Sequence, residues 1–289
     1  MKSLNNYISG GFFNNIGAGE NAKKEMLDEI IDWICDHDVA SKSIRGTYES
    51  ILILGDDGRV HYSAPASIMI TLYLTDQDNV PDNIYFGNDI ILTIKFAGVR
   101  FNKLSDWAKI LPKNIWQMEI HKMQVKNWEW LSSVNNIDTF YVENSSLPSN
   151  GFTGFNPSIK MELIIDECNI ENLNGFPEIY KRASVRIRSC VHLEDISGIA
   201  EKNTEFESFE IRDCRRVKKI GDLSKIVLHN YFTTDISVVK CAMKGKGKLF
   251  KDVKYTIGIN GIGGSGLKPQ EVKNFIKSLY PRVYIGLYA

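Results

Sequence analysis

The sequence predicts an α/β solenoid, a body of stacked strand-and-turn units. Three observations predict it. The first is an apolar phrase that recurs as Met118-x-Ile120-x-x-Met123-x-Val125, Phe140-x-Val142-x-x-Ser145-x-Leu147 and Leu163-x-Ile165-x-x-Cys168-x-Ile170. Two further copies, Val185-x-Ile187-x-x-Cys190-x-x-Leu193 and Phe209-x-Ile211-x-x-Cys214-x-x-Val217, carry one extra residue. The second is the period: the anchor positions 123, 145, 168, 190 and 214 are separated by 22, 23, 22 and 24 residues, a repeat length at which each unit is one strand and its return. The third is a spacing of three after the phrase: Val125, Trp128 and Leu131; Ile170, Leu173 and Phe176; Leu193, Ile196 and Ile199; Val217, Ile220 and Leu223. Side chains at i and i+3 eclipse in a tight 3₁₀ turn, which predicts such turns opposite the strands.

Before the repeats, Met26, Ile30, Ile31, Trp33 and Ile34 form one face of a helix over about 19–37. ESILILGDDGRVHYSA then reads as a hairpin turning at Gly55-Asp56-Asp57-Gly58, because Gly and Asp tolerate the positive φ of a tight turn. Residues 1–66 are therefore expected to cap the first open edge, since each repeat buries its apolar face only against a neighbour. The phrase extends outward as Leu72-x-Leu74, Leu92-x-Ile94-x-x-Ala97-x-Val99 and Ile226-x-Leu228-x-x-Tyr231, giving a repeat region over 67–239. From 240 to 289 the pattern becomes strand (KYTIGIN), glycine loop, helix and strand (RVYIGLYA). Pro269 suits a first helical turn, and Val272, Phe275, Ile276 and Leu279 form a stripe, so a βαβ-like C-terminal cap is expected.

The phrase resembles the leucine-rich repeat, L-x-L-x-x-N/C-x-L, over residues 90 to 230. The resemblance implies that each L-x-L is a strand of a parallel sheet lining a concave face. It also implies that Cys168, Cys190 and Cys214 point inward to bond loop backbone. Met123, Ser145 and Tyr231 depart from the pattern, and Ile, Val, Phe and Met replace most leucines, as in an irregular, low-leucine member of the class.

Composition narrows the functional classes. The 289 residues hold 35 basic and 35 acidic side chains, so no global field draws the chain to nucleic acid or an anionic membrane. The tail is nonetheless basic: from Lys240 to Ala289, ten Lys or Arg face two acids. No apolar run approaches the roughly 20 residues that cross a bilayer. The N-terminal MKSLNNYISGGFFNN lacks the apolar stretch of a secretory signal. Five cysteines with no C-x-x-C pair then predict reduced thiols and a cytoplasmic location.

Chemistry-bearing motifs are sparse. A thiol ladder of Cys168, Cys190 and Cys214 is linear, so its sulfurs do not converge on a tetrahedral metal, and buried structural cysteines are expected. Cys35 and His37, two apart on a helix, point away from each other. His61, His121, His192 and His229 show no ligand spacing. No catalytic residue, cofactor or metal is expected, and the chain reads as a non-enzymatic interaction module.

Two surfaces are candidates for binding. Positions alternating with the buried phrase put Glu119, His121, Tyr141, Glu143, Asp166, Arg186, Arg188, Glu210 and Arg212 on the sheet face, a composition suited to a protein partner. Tyr141 and the Arg186, Arg188 and Arg212 cluster are expected there as anchors, and double substitution of Arg188 and Arg212 to Glu is expected to abolish capture without lowering the melting temperature. The alternative is nucleic acid or a phosphorylated ligand at Lys244, Lys246, Lys248, Gly263, Gly264 and Ser265, where a basic run meets a glycine loop before a helix. That loop lacks the Lys-Ser/Thr ending of a P-loop.

Overall fold

The computed structural model describes residues 68–77 and 90–288, so the expected helix over 19–37 and the hairpin after it lie outside the described residues. The described chain falls into two compact units. One holds the residues up to Met123 with Ser133–Asn135, and the other holds Gln124–Ser132 and Asn136 onward.

In the first unit, β1 (Ile68–Thr75), β2 (Ile90–Ala97) and β3 (Asn114–His121) run parallel, with α1 (Phe101–Ala108) between the last two. Leu72 pairs with Ile94 and Leu74 with Phe96, and these continue to Met118 and Ile120. All six side chains are buried, as are Leu104 and Trp107 of α1. This register corrects the expected copy beginning at Leu92. The equivalent phrase is Ile94-x-Phe96-x-x-Val99, two residues later, because a shift of two leaves the same alternating face inward.

The second unit is a parallel sheet in the order β4 (Asn136–Glu143), β5 (Ser158–Asp166), β6 (Ser184–Arg188), β8 (Ser208–Arg212), β11 (Tyr231–Asp235), β13 (Thr256–Asn260) and β14 (Tyr284–Leu287). Each strand's neighbours are the ones before and after it in the chain, and the fold is α/β with short helices. Away from this sheet, β7 (Glu205–Phe206) pairs with β10 (Val227–Leu228), and β9 (Gly221–Asp222) pairs with β12 (Gly247–Lys248). Single bridges link Gln124, Ser146 and Asn169 in one row and Asn172, Asp195 and Lys219 in another. Successive repeats thus stack along their returns as well as along their strands.

The phrase residues form the core. Phe140, Leu163, Val185 and Phe209 stand in one register row, Val142, Ile165, Ile187 and Ile211 in the next, and all are fully buried. Side chains at the three-residue spacing are buried too, with 3₁₀ turns at Glu129–Leu131, Ser197–Ala200 and Leu223–Lys225. The copy through Ile170, Leu173 and Phe176 forms no such turn. Aromatic packing fills the interior: the Trp128 ring stacks on Phe152 at 5.4 Å and meets Phe155 edge-on at 5.2 Å. The Trp128 indole N–H donates to the Gly151 carbonyl at 2.9 Å, which satisfies its one polar atom.

Every clear copy bends at the same place. Lys122, Asn144, Glu167, Ser189 and Asp213, each just before an anchor, have φ between 47 and 55°, and Gly98 and Gly261 take the matching positions at 64 and 74°. A left-handed conformation costs a side-chain-bearing residue roughly 1–2 kcal/mol. It is held by backbone bonds, for the Asn144, Glu167 and Ser189 amides donate to Asp166, Arg188 and Arg212 carbonyls at 2.9–3.0 Å. The anchors then donate to the carbonyl two residues back: Ser145 Oγ to Glu143 at 2.8 Å, and Cys168, Cys190 and Cys214 Sγ to Asp166, Arg188 and Arg212 at 3.2–3.3 Å. Their partners are strand-end carbonyls, which corrects the expectation of loop backbone.

The copy expected at Ile226 is also corrected. Phe232 pairs with Phe209 and Thr233 with Glu210, so the equivalent phrase is Phe232-x-Thr234-x-x-Ser237 and Tyr231 is a strand start rather than an anchor. Two polar residues at core positions hid it, Thr234 at 0% and Ser237 at 8% exposure. The βαβ expectation holds: β13 and β14 are parallel, and α3 (Pro269–Leu279) joins them with Pro269 at its start and Val272 and Ile276 buried. Among the described residues, no helix is long and apolar enough to cross a membrane.

Candidate functional site

The sheet face carries the alternating polar positions, and most of its charges are neutralised by one another. Arg188 grips Glu210 in a two-pronged bond, Nε to Oε1 at 2.9 Å and Nη2 to Oε2 at 2.8 Å. Arg186 Nη2 reaches Glu162 Oε1 at 3.0 Å. In parallel register Arg186 faces Glu210 and Arg188 faces Arg212, so both ion pairs run diagonally between neighbouring strands. Arg212 turns to Asp213 at 3.3 Å and stays 58% exposed. Tyr141, Glu143 and Asp166 belong to the same face, where burial raises the Asp166 carboxyl above its ordinary range, against the pull of Arg188.

In the first unit, Glu119 gathers three neighbours. His121 Nε2 lies 2.8 Å from its Oε2 and Lys95 Nζ 3.2 Å, while Gln117 donates to Oε1 at 2.5 Å. The His121 hydrogen bond, with smaller help from Lys95 and Gln117, holds Glu119 down at about 2 despite partial burial. Arg188 is thus a structural member of the sheet, with a bidentate partner that its reversal would turn into a like-charge neighbour.

A different surface lies at the carboxyl ends of β8, β11 and β13. A cleft of about 610 Å³ opens there between three segments. The segment after β8 contributes Arg215, Arg216 and Lys218, and α2 (Ile236–Met243) with its following turn contributes Lys240, Lys244 and Lys246. The loop after β13 contributes Gly261, Gly263, Gly264 and Ser265. Six cationic side chains therefore converge on one cavity. The carboxylates near them are Asp235 in its wall, Glu194 held by Arg216 and Lys218 at 3.1 and 2.8 Å, and Asp213 at 4.0 Å from Arg215. Lys244 and Lys246 are exposed and form no ion pair among the described residues.

Local chemistry builds this cleft. Asp235 caps α2 by accepting the Ser237 amide at 3.0 Å on Oδ1, so the positive end of this helix is already occupied. Ser237 Oγ donates to the Cys214 carbonyl at 3.1 Å and Cys241 Sγ to the Val217 carbonyl at 3.5 Å, which ties α2 to the segment after β8. Lys240 Nζ donates to the Ser265 carbonyl and fixes the glycine loop over α2. Burial raises the Cys241 thiol, with Lys246 and Lys244 opposing, so it stands as a thiol rather than a nucleophile.

Two buried polar atoms near this cleft have no hydrogen-bond partner among the described residues: Asp235 Oδ2 and Asn260 Nδ2. Asp235 is 1% exposed and lines the cavity. A side chain added at Gly261, also in the wall, would come within 3.8 Å of that oxygen.

Of the residues named from the sequence, Lys244, Lys246, Gly263, Gly264 and Ser265 line this cleft together. Lys248 is not: it pairs with Asp222 at 3.6 Å. The cradle lies against α2, and no residue of α3 lines it. Arg215, Arg216, Lys218 and Asp235 were missed, although Arg215-Arg216 stands one repeat upstream of Lys240 and stacking places the two runs side by side.

No family model, curated protein or solved structure matches this chain. Its chemistry is therefore read from the residues themselves. Cys168, Cys190 and Cys214 are buried free thiols, and burial pushes Cys168 to about 12, the opposite of a ligating thiolate. Cys190 is raised as well, first by its hydrogen bond with Cys214 and then by burial. His192 is exposed beside Arg216, and His229 pairs with Glu205 at 2.8 Å.

Proposed function

We propose that this protein is a non-enzymatic binding module, an irregular leucine-rich-repeat-like solenoid whose ligand site is the cationic cleft at its C-terminal end. The convergence of six Lys and Arg side chains on one 610 Å³ cavity carries this reading. Ligand pockets for small molecules fall in the range of about 300–1,000 Å³. A phosphate-bearing ligand is thus favoured over a long nucleic-acid track. The buried free thiols fit a reducing, cytoplasmic setting.

Inorganic phosphate titrated calorimetrically at two salt concentrations tests this. The affinity is expected to fall with salt, which screens the attraction, and to drop several-fold in the Lys244→Gln, Lys246→Gln double variant, which removes two cations. No phosphate heat at low salt would overturn the reading. A protein partner on the sheet face is the second reading, favoured by the way Glu162 and Glu210 fix Arg186 and Arg188 into a preset charge pattern. Arg212, the exposed member, is the residue to reverse there.

A further inference from the structure

We propose that the cleft takes a hydroxyl-bearing phosphate ester, such as a polyol or sugar phosphate, with the hydroxyl seated at Asp235 and Asn260. The inference rests on the phosphate-site reading above and adds the second half of the ligand. Asp235 and Asn260 are register partners on adjacent parallel strands, so their side chains leave the sheet on the same face at the same level. Asp235 Oδ2 needs a donor and Asn260 Nδ2 needs an acceptor, and both are buried without one among the described residues. Buried polar atoms are ordinarily paired, so each such exception calls for an explanation.

The two demands together call for a group that both donates and accepts, as a ligand hydroxyl does. A hydroxyl donates its hydrogen to Asp235 and accepts from Asn260 through its lone pairs. An ammonium satisfies Asp235 but cannot accept, and it would be repelled by the lysines around it. A second phosphate oxygen accepts from Asn260 but is repelled by Asp235. Asp235 Oδ1 is already used by the Ser237 amide, which leaves Oδ2 as the free acceptor and fixes the carboxylate's orientation. The phosphate then lies toward Lys244 and Lys246, which form no ion pair among the described residues, while Lys240 is held by the Ser265 carbonyl.

Calorimetric titration of the full chain with glycerol 3-phosphate and with ethyl phosphate tests the proposal. The expected result is at least tenfold tighter binding of glycerol 3-phosphate. Asp235→Asn keeps an oxygen to cap α2 and presents a donor where the hydroxyl needs an acceptor, so it should erase the preference and leave ethyl phosphate binding intact. If its melting curve shows a folding defect, Asn260→Ala is measured instead, with a smaller loss of preference expected. Equal affinity for the two probes, or an undiminished preference in the folded variant that is measured, overturns the hydroxyl assignment while the phosphate site stands. Binding of neither probe overturns both.

Discussion

The sheet face and the C-terminal cleft are both rich in charge, yet they are built oppositely. On the sheet, cations meet carboxylates in diagonal pairs, and the arginines there serve the fold. In the cleft, cations are drawn from two successive repeats toward a shared space, and Lys244 and Lys246 form no ion pair among the described residues. The difference shows that charge content does not mark a binding surface; what marks it is charge and hydrogen-bonding capacity that the protein leaves unspent.

Charge reversal separates the two regions most sharply. Arg188→Glu places a carboxylate beside Glu210, which is 11% exposed, and is expected to cost about 2–3 kcal/mol, seen as a melting temperature lower by several degrees. Lys244→Glu should leave the melting curve unchanged. Equal effects in a thermal melt would break the comparison. Next in size, the Lys244→Glu, Lys246→Glu double variant should weaken phosphate about tenfold or more, near 1.4 kcal/mol, whereas Arg186→Gln should leave phosphate affinity as it was in the same titration.

The acid limb gives a smaller effect. Glu119 has a folded value depressed to about 2 from 4.5, so its stabilisation is present above pH 4.5 and is lost as pH falls toward 2. Glu119→Gln should melt about 2–4 °C below the parent at pH 6, corresponding to about 1 kcal/mol, and the gap should close by about pH 2–3. A gap that is constant with pH would remove the ion pairs from the account of the sheet. Smallest is the strand-end bend: Ser189, at φ 52°, should tolerate Gly with little change, and Val should be about 1–2 kcal/mol less stable than Gly in a denaturant titration.

The middle of the fold was legible in the sequence, and its edges and site were less so. From Met118 to Ile211 the apolar phrase set the strand face correctly because every second side chain there is buried. At Leu92 the alternation runs on unbroken through Phe96, so the pattern gave the right face and the wrong phase. At Phe232 a threonine and a serine fill core positions by hydrogen bonding, and a hydrophobicity pattern passes over them. In the five clear copies the left-handed bends carry Lys, Asn, Glu, Ser and Asp rather than glycine, so no single residue type announced them. For the site, the lysine run and glycine loop were visible, while Asp235 was not: its importance lies in burial and an unpaired oxygen, properties that exist only once the strands are stacked.

The parallel order, in which each strand touches only its predecessor and successor, shapes how the second unit assembles. Contacts link residues about one repeat apart along the chain, from Phe140 with Leu163 to Phe209 with Phe232. Folding can therefore begin at any adjacent pair and spread like a zipper in both directions. A lesion in a central strand such as β6 would interrupt that spread, and the segments on either side would then melt as separate cooperative blocks.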